Sequence, residues 1–144
     1  MLSIYPAIFY KEENGGYSVI FPDLNHLATC GDTMQETMEM AIDCLAGYLF
    51  TEKLEGNKLP APTPLEQVDP YCEDTDEEDR KTERFVNMVS VDVEAYAALH
   101  FNKAVKRTVS IPQWLNNRAI AKKVNVSKLL QQALIKELNV IQTI

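Results

Sequence analysis

The hydrophobic pattern of the first thirty residues predicts a group of short β-strands. Residues 2–10 (LSIYPAIFY) and 17–21 (YSVIF) are rich in β-branched and aromatic side chains, which favour strands. The polar run KEENGG between them ends in two glycines, which readily adopt the positive φ angles of a hairpin turn. A Pro-Asp pair at 22–23 predicts a second turn, and a short third strand is expected at residues 27–30.

A helical period replaces this alternation at residues 33–50. Thr33 and Glu36 have the spacing of a capping box at the start of a helix. Hydrophobic residues then recur at helical intervals along one stripe, which we interpret as the buried face of the helix. The residues of this stripe are Met34, Met38, Ala41, Leu45 and Tyr48.

The rest of the first hundred residues predicts a long loop and a return to the sheet. Residues 56–84 contain four prolines and the acidic run EDTDEED at 73–79. We expect a surface loop that is either simply solvated or in contact with a basic partner. Residues 85–91 (FVNMVSV) predict a fourth strand, and Asp92 can cap a short helix at 93–100. The order β-β-β-α-β indicates an α+β fold, with a mixed sheet covered on one face by the long helix.

The last forty residues follow a different pattern, that of one strand and two helices. In residues 104–111 (AVKRTVSI), polar and hydrophobic side chains alternate, and only Arg107 interrupts the apolar face. Pro112 favours the start of a first helix. Asn125 tolerates the left-handed conformation of a tight turn, and Ser127 can cap a second helix. Since one strand and two helices cannot close a core, the economical arrangement is a two-fold dimer in which two strands pair.

The charge of the chain divides at the same place. Residues 1–100 hold six Lys or Arg against twenty Asp or Glu, a net charge of −14, whereas residues 101–144 hold eight against one, a net charge of +7. A basic region of this kind is typical of nucleic-acid contact. A two-stranded ribbon fits the DNA major groove, and N–H groups at the start of the second helix can hold a phosphate. The predicted DNA-contacting residues are Lys103, Lys106, Thr108, Ser110, Ser127 and Lys128.

The composition excludes several classes of protein. A hydrophobic fraction of 46% allows packed cores and excludes a globally disordered chain. No apolar run approaches the roughly 18 residues that span a bilayer, and the N-terminus lacks the pattern of a secretory signal. Three widely spaced cysteines do not indicate a disulfide framework, so reduced thiols and a cytoplasmic location are expected.

Both ends of the chain resemble known domains. Residues 106–115 (KRTVSIPQWL) and 125–134 (NVSKLLQQAL) resemble a ribbon-helix-helix DNA-binding domain. Residues 15–24 (GGYSVIFPDL), followed by Gly-Asp-Thr at 31–33 and the amphipathic helix, resemble the HicB antitoxin family. Together the motifs cover nearly the whole chain in the order expected for that family.

The resemblance implies two domains with different binding functions. Residues 1–100 would form a degenerate RNase H-like domain that binds and covers the active site of HicA, a small mRNA-cleaving toxin. After a linker at 101–103, residues 101–144 would form a ribbon-helix-helix domain that dimerises, binds operator DNA and represses its own operon. A toxin that grips RNA must be cationic, which suits an acidic partner. The candidate toxin-contacting residues are Tyr10, Tyr17, Asp23, Leu24 and Asn25.

An RNase H-like fold also raises the alternative of catalytic carboxylates that hold metal ions. The available carboxylates, which form no tight acidic motif, are Asp23, Asp32, Glu36, Glu39 and Asp92. His26 and Cys30 have a spacing that some zinc sites use, but no second pair accompanies them. We therefore expect no catalysis, no metal and no cofactor. The alternative function is a ribbon-helix-helix repressor whose first domain senses a small ligand.

Overall fold

The computed structural model describes residues 1–101, here called the body, and residues 104–139, here called the tail. The strands of the body are β1 (Leu2–Lys11), β2 (Tyr17–Phe21), β3 (Leu27–Gly31) and β4 (Arg84–Asp92). Its helices are α1 (Met34–Leu54) and α2 (Val93–His100), with single 3-10 turns at Leu65–Gln67 and Asp79–Lys81. The tail contains α3 (Gln113–Ala121) and α4 (Val126–Glu137). The predicted α+β class and the order β-β-β-α-β are confirmed.

The four strands of the body form one antiparallel sheet in the order β3-β2-β1-β4. The prediction of a mixed sheet is wrong, because β4 runs antiparallel to β1, with Leu2 opposite Asp92. A short connection after α1 would have placed β4 parallel to β1. The long segment at 55–83, here called the acidic loop, instead runs to the opposite end of the sheet, so β4 begins there and runs in the opposite direction to β1.

The main core lies between one face of the sheet and α1. Alternation along β1 places Tyr5, Ala7 and Phe9 on this face, where they are buried against Ala41 and Leu45 of α1. The other buried members of this core are Val19, Phe21, Leu24, Ala46, Leu49, Val89, Val91 and Val93.

The start of α1 is fixed by the predicted cap and by one close approach. The backbone N–H of Glu36 donates to Thr33 Oγ1 at 3.1 Å, and the Glu36 carboxylate accepts from the N–H of Asp32 at 2.8 Å. A Cβ at Gly31 would lie 2.5 Å from the backbone nitrogen of Thr37, so only glycine lets β3 lead directly into the helix. The buried side of α1 begins at Thr37; Met34, predicted to be buried, is exposed.

The body ends one residue later than predicted. Asp92 caps α2 by accepting from the N–H of Ala95 at 3.1 Å, as expected. Phe101, predicted to lie in the linker, packs on Phe50 and Tyr96 with ring centroids 5.4 and 5.5 Å apart. It therefore belongs to the core. The remaining linker residues, 102–103, lie outside the described residues.

The tail differs from its prediction at the turn between its helices. Lys123, with φ of 52°, is the left-handed residue, whereas Asn125 is extended and caps α4 by accepting from the N–H of Lys128 at 3.0 Å. Asn125 cannot take the left-handed role because an N-cap needs extended backbone angles. The prediction that Ser127 is the N-cap is therefore wrong, and Ser127 lies within the first turn of α4. Residues 104–112 form no strand within this single chain, so their pairing across a dimer stays a prediction.

Candidate interaction surfaces

Arg84, at the first position of β4, anchors the acidic loop to the sheet. Its side chain is only 4% exposed. The guanidinium pairs with the carboxylate of Asp74 and donates to the backbone carbonyls of Pro70, at 3.1 Å, and of Asp79. It thereby ties three points of the loop to one position on the sheet.

Two tyrosine rings enclose the same guanidinium. Its carbon lies 4.9 Å from the ring centroid of Tyr10 and 4.7 Å from that of Tyr71, within the range of a cation–π contact. Burial alone would lower the pKa of Arg84, but the Asp74 carboxylate, together with Tyr10 and Tyr71, outweighs it, so the pKa is raised. The cation therefore stays charged and paired beneath the loop.

Further contacts hold the rest of the acidic loop in place. His26 Nδ1 lies 2.7 Å from the carboxylate of Glu73, and the N–H of Thr63 donates to Asp23 Oδ2 at 2.7 Å. Tyr5 donates its hydroxyl to the carbonyl of Pro60 at 2.6 Å. The loop is thus folded onto the sheet rather than simply solvated. Ile8, which lies on the sheet face opposite α1, is also completely buried.

The acidic loop and the β1–β2 turn together form one surface, which we call the acidic surface. The N–H of Lys11 donates to the carbonyl of Glu83 at 2.9 Å and so joins the two segments. Three neighbouring hollows lie on this surface. The middle hollow shares Asp74 with the second hollow, and it shares Glu12 and Thr82 with the third. The carboxylates that line the hollows are Glu12, Glu13, Glu73, Asp74, Asp76, Glu77, Glu78, Asp79 and Glu83.

The five candidate toxin-contacting residues have different surroundings in the structure. Tyr10 lies under Arg84 at the acidic surface, and Tyr17 is half-buried at the start of β2. Asp23 is occupied by both the N–H and the hydroxyl of Thr63. Asn25 is exposed with φ of 55° in the β2–β3 turn. Leu24 has no exposed surface, so its side chain serves the core and is not available for a direct contact.

Sequence reasoning missed Arg84 as the organiser of this surface. The available signal was the presence of three cations, Arg80, Lys81 and Arg84, in the five residues that follow a run of seven residues with six carboxylates. Such a run can fold back on itself only if a cation offsets the repulsion between like charges.

The tail presents a large apolar groove. Trp114, for example, is 61% exposed, and every residue of the tail is exposed except Ala119 and Ile135, which are half-buried. The groove has a volume of about 830 Å³. Its apolar lining comes from Val109, Ile111, Trp114, Leu115, Ala119, Val124, Val126, Leu129, Leu130 and Ala133.

The predicted alternation before α3 is visible in this lining. Val109 and Ile111 line the groove, whereas Lys106, Thr108 and Ser110 do not and are exposed. The three predicted DNA-contacting residues of this segment therefore lie away from the apolar side. Lys103, a fourth candidate, lies outside the described residues.

At the start of α4, the other two DNA-contacting candidates have different surroundings. Ser127 Oγ accepts from the side-chain amide of Gln131 at 3.3 Å. The backbone N–H of Lys128 is occupied by the Asn125 cap. In the part of the chain that the structure describes, the N–H groups of Val126 and Ser127 have no acceptor, as is usual for the first turn of a helix.

Four of the five carboxylates considered as metal ligands make structural hydrogen bonds, and the fifth residue, Asp32, takes part through its backbone N–H. Asp23 binds Thr63, Glu36 binds the N–H of Asp32, Glu39 accepts from Gln35, and Asp92 caps α2. Across residues 1–101 and 104–139, no group of three or more His, Cys, Asp or Glu is arranged to hold a metal ion. In the same ranges, no helix has the length and apolar character needed to cross a membrane.

Comparison with known proteins places both regions in one family. Residues 5–137 match the family model described as HicB-like antitoxin of a bacterial toxin–antitoxin system. The chain is 40% identical over 63 residues to Antitoxin HicB 1 of Photorhabdus laumondii, covering 44% of this chain and 41% of that protein. It is 39% identical over 70 residues to Antitoxin HicB of Escherichia coli K12, covering 48% and 50%. The matched segments thus span about half the length of these curated relatives, or less.

Two solved structures share the fold over most of their length. A toxin–antitoxin complex from Streptococcus pneumoniae matches with a TM-score of 0.59 and 29% identity, covering 95% of this chain and 99% of that one. The crystal structure of the Burkholderia pseudomallei antitoxin HicB matches with a TM-score of 0.51 and 20% identity, covering 94% and 96%, and supports the fold alone. Because the family model spans all but a few residues at each end, this chain belongs to the HicB-like antitoxin family of bacterial toxin–antitoxin systems.

Proposed function

We propose that the protein neutralises a HicA-type toxin through its body and represses its own operon through its tail, in the cytoplasm and without catalysis. The observation that carries this proposal is the contrast between the two surfaces. The body presents a folded acidic surface, and the tail presents an unfilled apolar groove beside a polar, cationic face. Each surface suits a different partner.

The acidic surface supports binding of a cationic toxin. An mRNA-cleaving toxin must attract RNA phosphates, so its active-site surface is basic and complementary to the carboxylates of this surface. The Streptococcus pneumoniae chain with the same fold comes from a toxin–antitoxin complex. We expect the acidic surface to cover the basic face of the toxin.

The apolar groove supports dimerisation of the tail. Groups of large exposed apolar side chains mark interfaces rather than solvent-facing surfaces. A second copy related by a two-fold axis would pair residues 104–111 of both chains into a ribbon and fill both grooves with α3 and α4 of the partner. We take residues 102–144 as this ribbon-helix-helix unit.

The ribbon would then present Lys106, Thr108 and Ser110 twice on one face. Their donors and acceptors suit base edges in the major groove. The free N–H groups at the start of α4, with Lys128 beside them, suit a phosphate. Lys103 would add sequence-independent attraction.

Co-expression with the product of the adjacent gene tests both halves of the proposal. We expect the chain to co-purify with a short basic toxin, to suppress its RNA cleavage, and to shift a DNA fragment that carries the operon's promoter. Absence of any bound toxin, together with retained DNA binding, would contradict the antitoxin function and favour the repressor with a ligand-sensing body.

A further inference from the structure

One hollow of the acidic surface lies between the β1–β2 hairpin and the acidic loop. We call it the Tyr10 hollow. It has a volume of about 270 Å³. Its lining residues are Tyr10, Glu12, Ser18, Ile20, Glu73, Asp74, Asp79 and Thr82.

Two buried oxygens in the lining residues have no hydrogen-bond partner among the described residues. They are the hydroxyl of Tyr10 and Oδ2 of Asp74. The Asp74 side chain is only 7% exposed, and its other oxygen is occupied by Arg84. A buried acceptor without a donor lowers the stability of the fold. A donor that reaches either oxygen therefore gains more binding free energy than it would at an exposed oxygen.

The chemistry of the lining favours a donor-rich cation. Four carboxylates line the hollow, those of Glu12, Glu73, Asp74 and Asp79, and the guanidinium of Arg84 forms its ion pair with only one of them, Asp74. Burial, with the nearby carboxylates, raises the pKa of Tyr10 to about 12. Its phenol is therefore neutral near pH 7 and can accept from a cationic donor.

A metal ion fits the hollow less well than a cationic side chain. The carboxylate of Glu73 faces His26, Asp79 Oδ2 accepts twice from Thr75 at 2.9 Å, and the Ser18 hydroxyl donates to Glu12. Within the residues described, these carboxylates form no cluster suited to a metal ion. They surround the hollow with negative charge without converging on one point.

We propose that the Tyr10 hollow receives one lysine or arginine side chain of the toxin. This inference rests on the antitoxin function proposed above, since a cationic partner is what that function supplies. Neither unpaired oxygen has accessible surface in the free chain. Entry of the cation therefore requires a small rotation of the Tyr10 or Asp74 side chain, which brings an oxygen to the incoming donor.

The Tyr10→Phe variant of the full chain tests this directly. It removes one unpaired hydroxyl and keeps the ring against Arg84, so the melting temperature should stay the same or rise. Toxin affinity, measured by calorimetry, should fall about tenfold or more, since a hydrogen bond to a charged group is lost. A purely structural role for Tyr10 would move stability and affinity down together. Tyr48→Phe, on α1, serves as the control with an unchanged affinity.

Charge removal gives a second, matched pair of variants. Glu12→Gln alters the lining of the hollow, whereas Glu13→Gln removes the same charge from the adjacent residue, which lines a different hollow. Each variant is combined with toxin variants in which one Lys or Arg at a time is replaced by Gln. We expect one toxin residue to show strong coupling to both Tyr10→Phe and Glu12→Gln, and none to Glu13→Gln.

The outcomes separate this inference from the proposed function. If wild-type chain binds the toxin but Tyr10→Phe and Glu12→Gln bind it equally well, the hollow is not the cation site and the antitoxin function stands. If the wild-type chain fails to bind the toxin, both proposals are wrong.

Discussion

The body and the tail differ in the exposure of their hydrophobic side chains. In the body, one sheet face is buried by α1, and Ile8 on the other face is also fully buried. In the tail, Trp114 and the leucines of α4 are exposed. The body completes a core within one chain, whereas the tail has the apolar surface for a core but not enough chain to close it. This difference supports the proposal that a second copy completes the core of the tail.

The two regions also hold their charges differently. The body buries a cation, Arg84, and uses it to shape a run of carboxylates into a surface. The tail keeps all its described cations exposed. Exposed Lys and Arg side chains are accessible to the phosphates of a nucleic acid.

The largest effect should come from a charge in the apolar groove. Leu130→Asp would place an unpaired carboxylate in the shared core of the dimer, which costs several kcal/mol. We expect the full chain to become a monomer of 16.3 kDa in light scattering, with operator binding abolished and thermal unfolding of the body unchanged. Gln132→Asp adds the same charge outside the groove lining and should stay dimeric. A wild-type chain that is monomeric would contradict the proposal that the groove is a dimer interface.

Removal of the buried cation should have the next largest effect, confined to the body. Arg84→Ala leaves the Asp74 carboxylate buried without its partner, a loss of about 3–5 kcal/mol. Hydrogen exchange should report it as early opening of the acidic loop, and urea unfolding as a lower midpoint. Arg80→Ala removes a more exposed cation 5.6 Å from the Tyr71 ring and should cost about 0.5 kcal/mol or less. Equal effects of the two substitutions would mean that Arg84 does not anchor the loop.

Substitutions on the polar face of residues 104–111 should weaken operator binding alone. Lys106→Ala and Thr108→Ala should each cost about 1–3 kcal/mol if they contact base edges, measured by fluorescence anisotropy at fixed salt. Toxin affinity should not change. Lys136→Ala, at the far end of α4, is the matched control; normal operator binding by the Lys106 and Thr108 variants would show that the ribbon face has been assigned wrongly.

The smallest effect concerns the cap of α4. Asn125→Ala should cost about 1 kcal/mol of tail stability because it removes the acceptor of the Lys128 N–H. Ser127→Ala should cost less, since Ser127 is not the N-cap. Thermal unfolding of the dimer measures both, and a larger loss for Ser127 would restore it as the cap.

Local patterns were sufficient to predict most of the body. The β-branched runs, the Thr33–Glu36 capping box and the Asp92 cap depend on neighbours in sequence, and each element lies within four residues of its predicted bounds. The direction of β4 was missed because it depends on where a long loop carries the chain. Local propensity does not encode that path.

The candidate sites were harder to predict because they depend on distant pairings. Arg84 meets Tyr10, Tyr71 and Asp74 only after the acidic loop folds over the sheet. Leu24 looked like an accessible turn residue but is buried, because the turn folds inward over the core. In the tail, the choice between Asn125 and Ser127 as cap was ambiguous, since both residue types cap helices well.

We propose that each region binds its own partner without the other. Calorimetry with the toxin, on the full chain and on a fragment of residues 1–101, tests it most directly. The fragment keeps Phe101 and therefore the whole core. We expect the fragment to be monomeric and to bind the toxin with the affinity of the full chain. A fragment that is folded but fails to bind the toxin would contradict it, because the acidic surface would then not be sufficient for recognition.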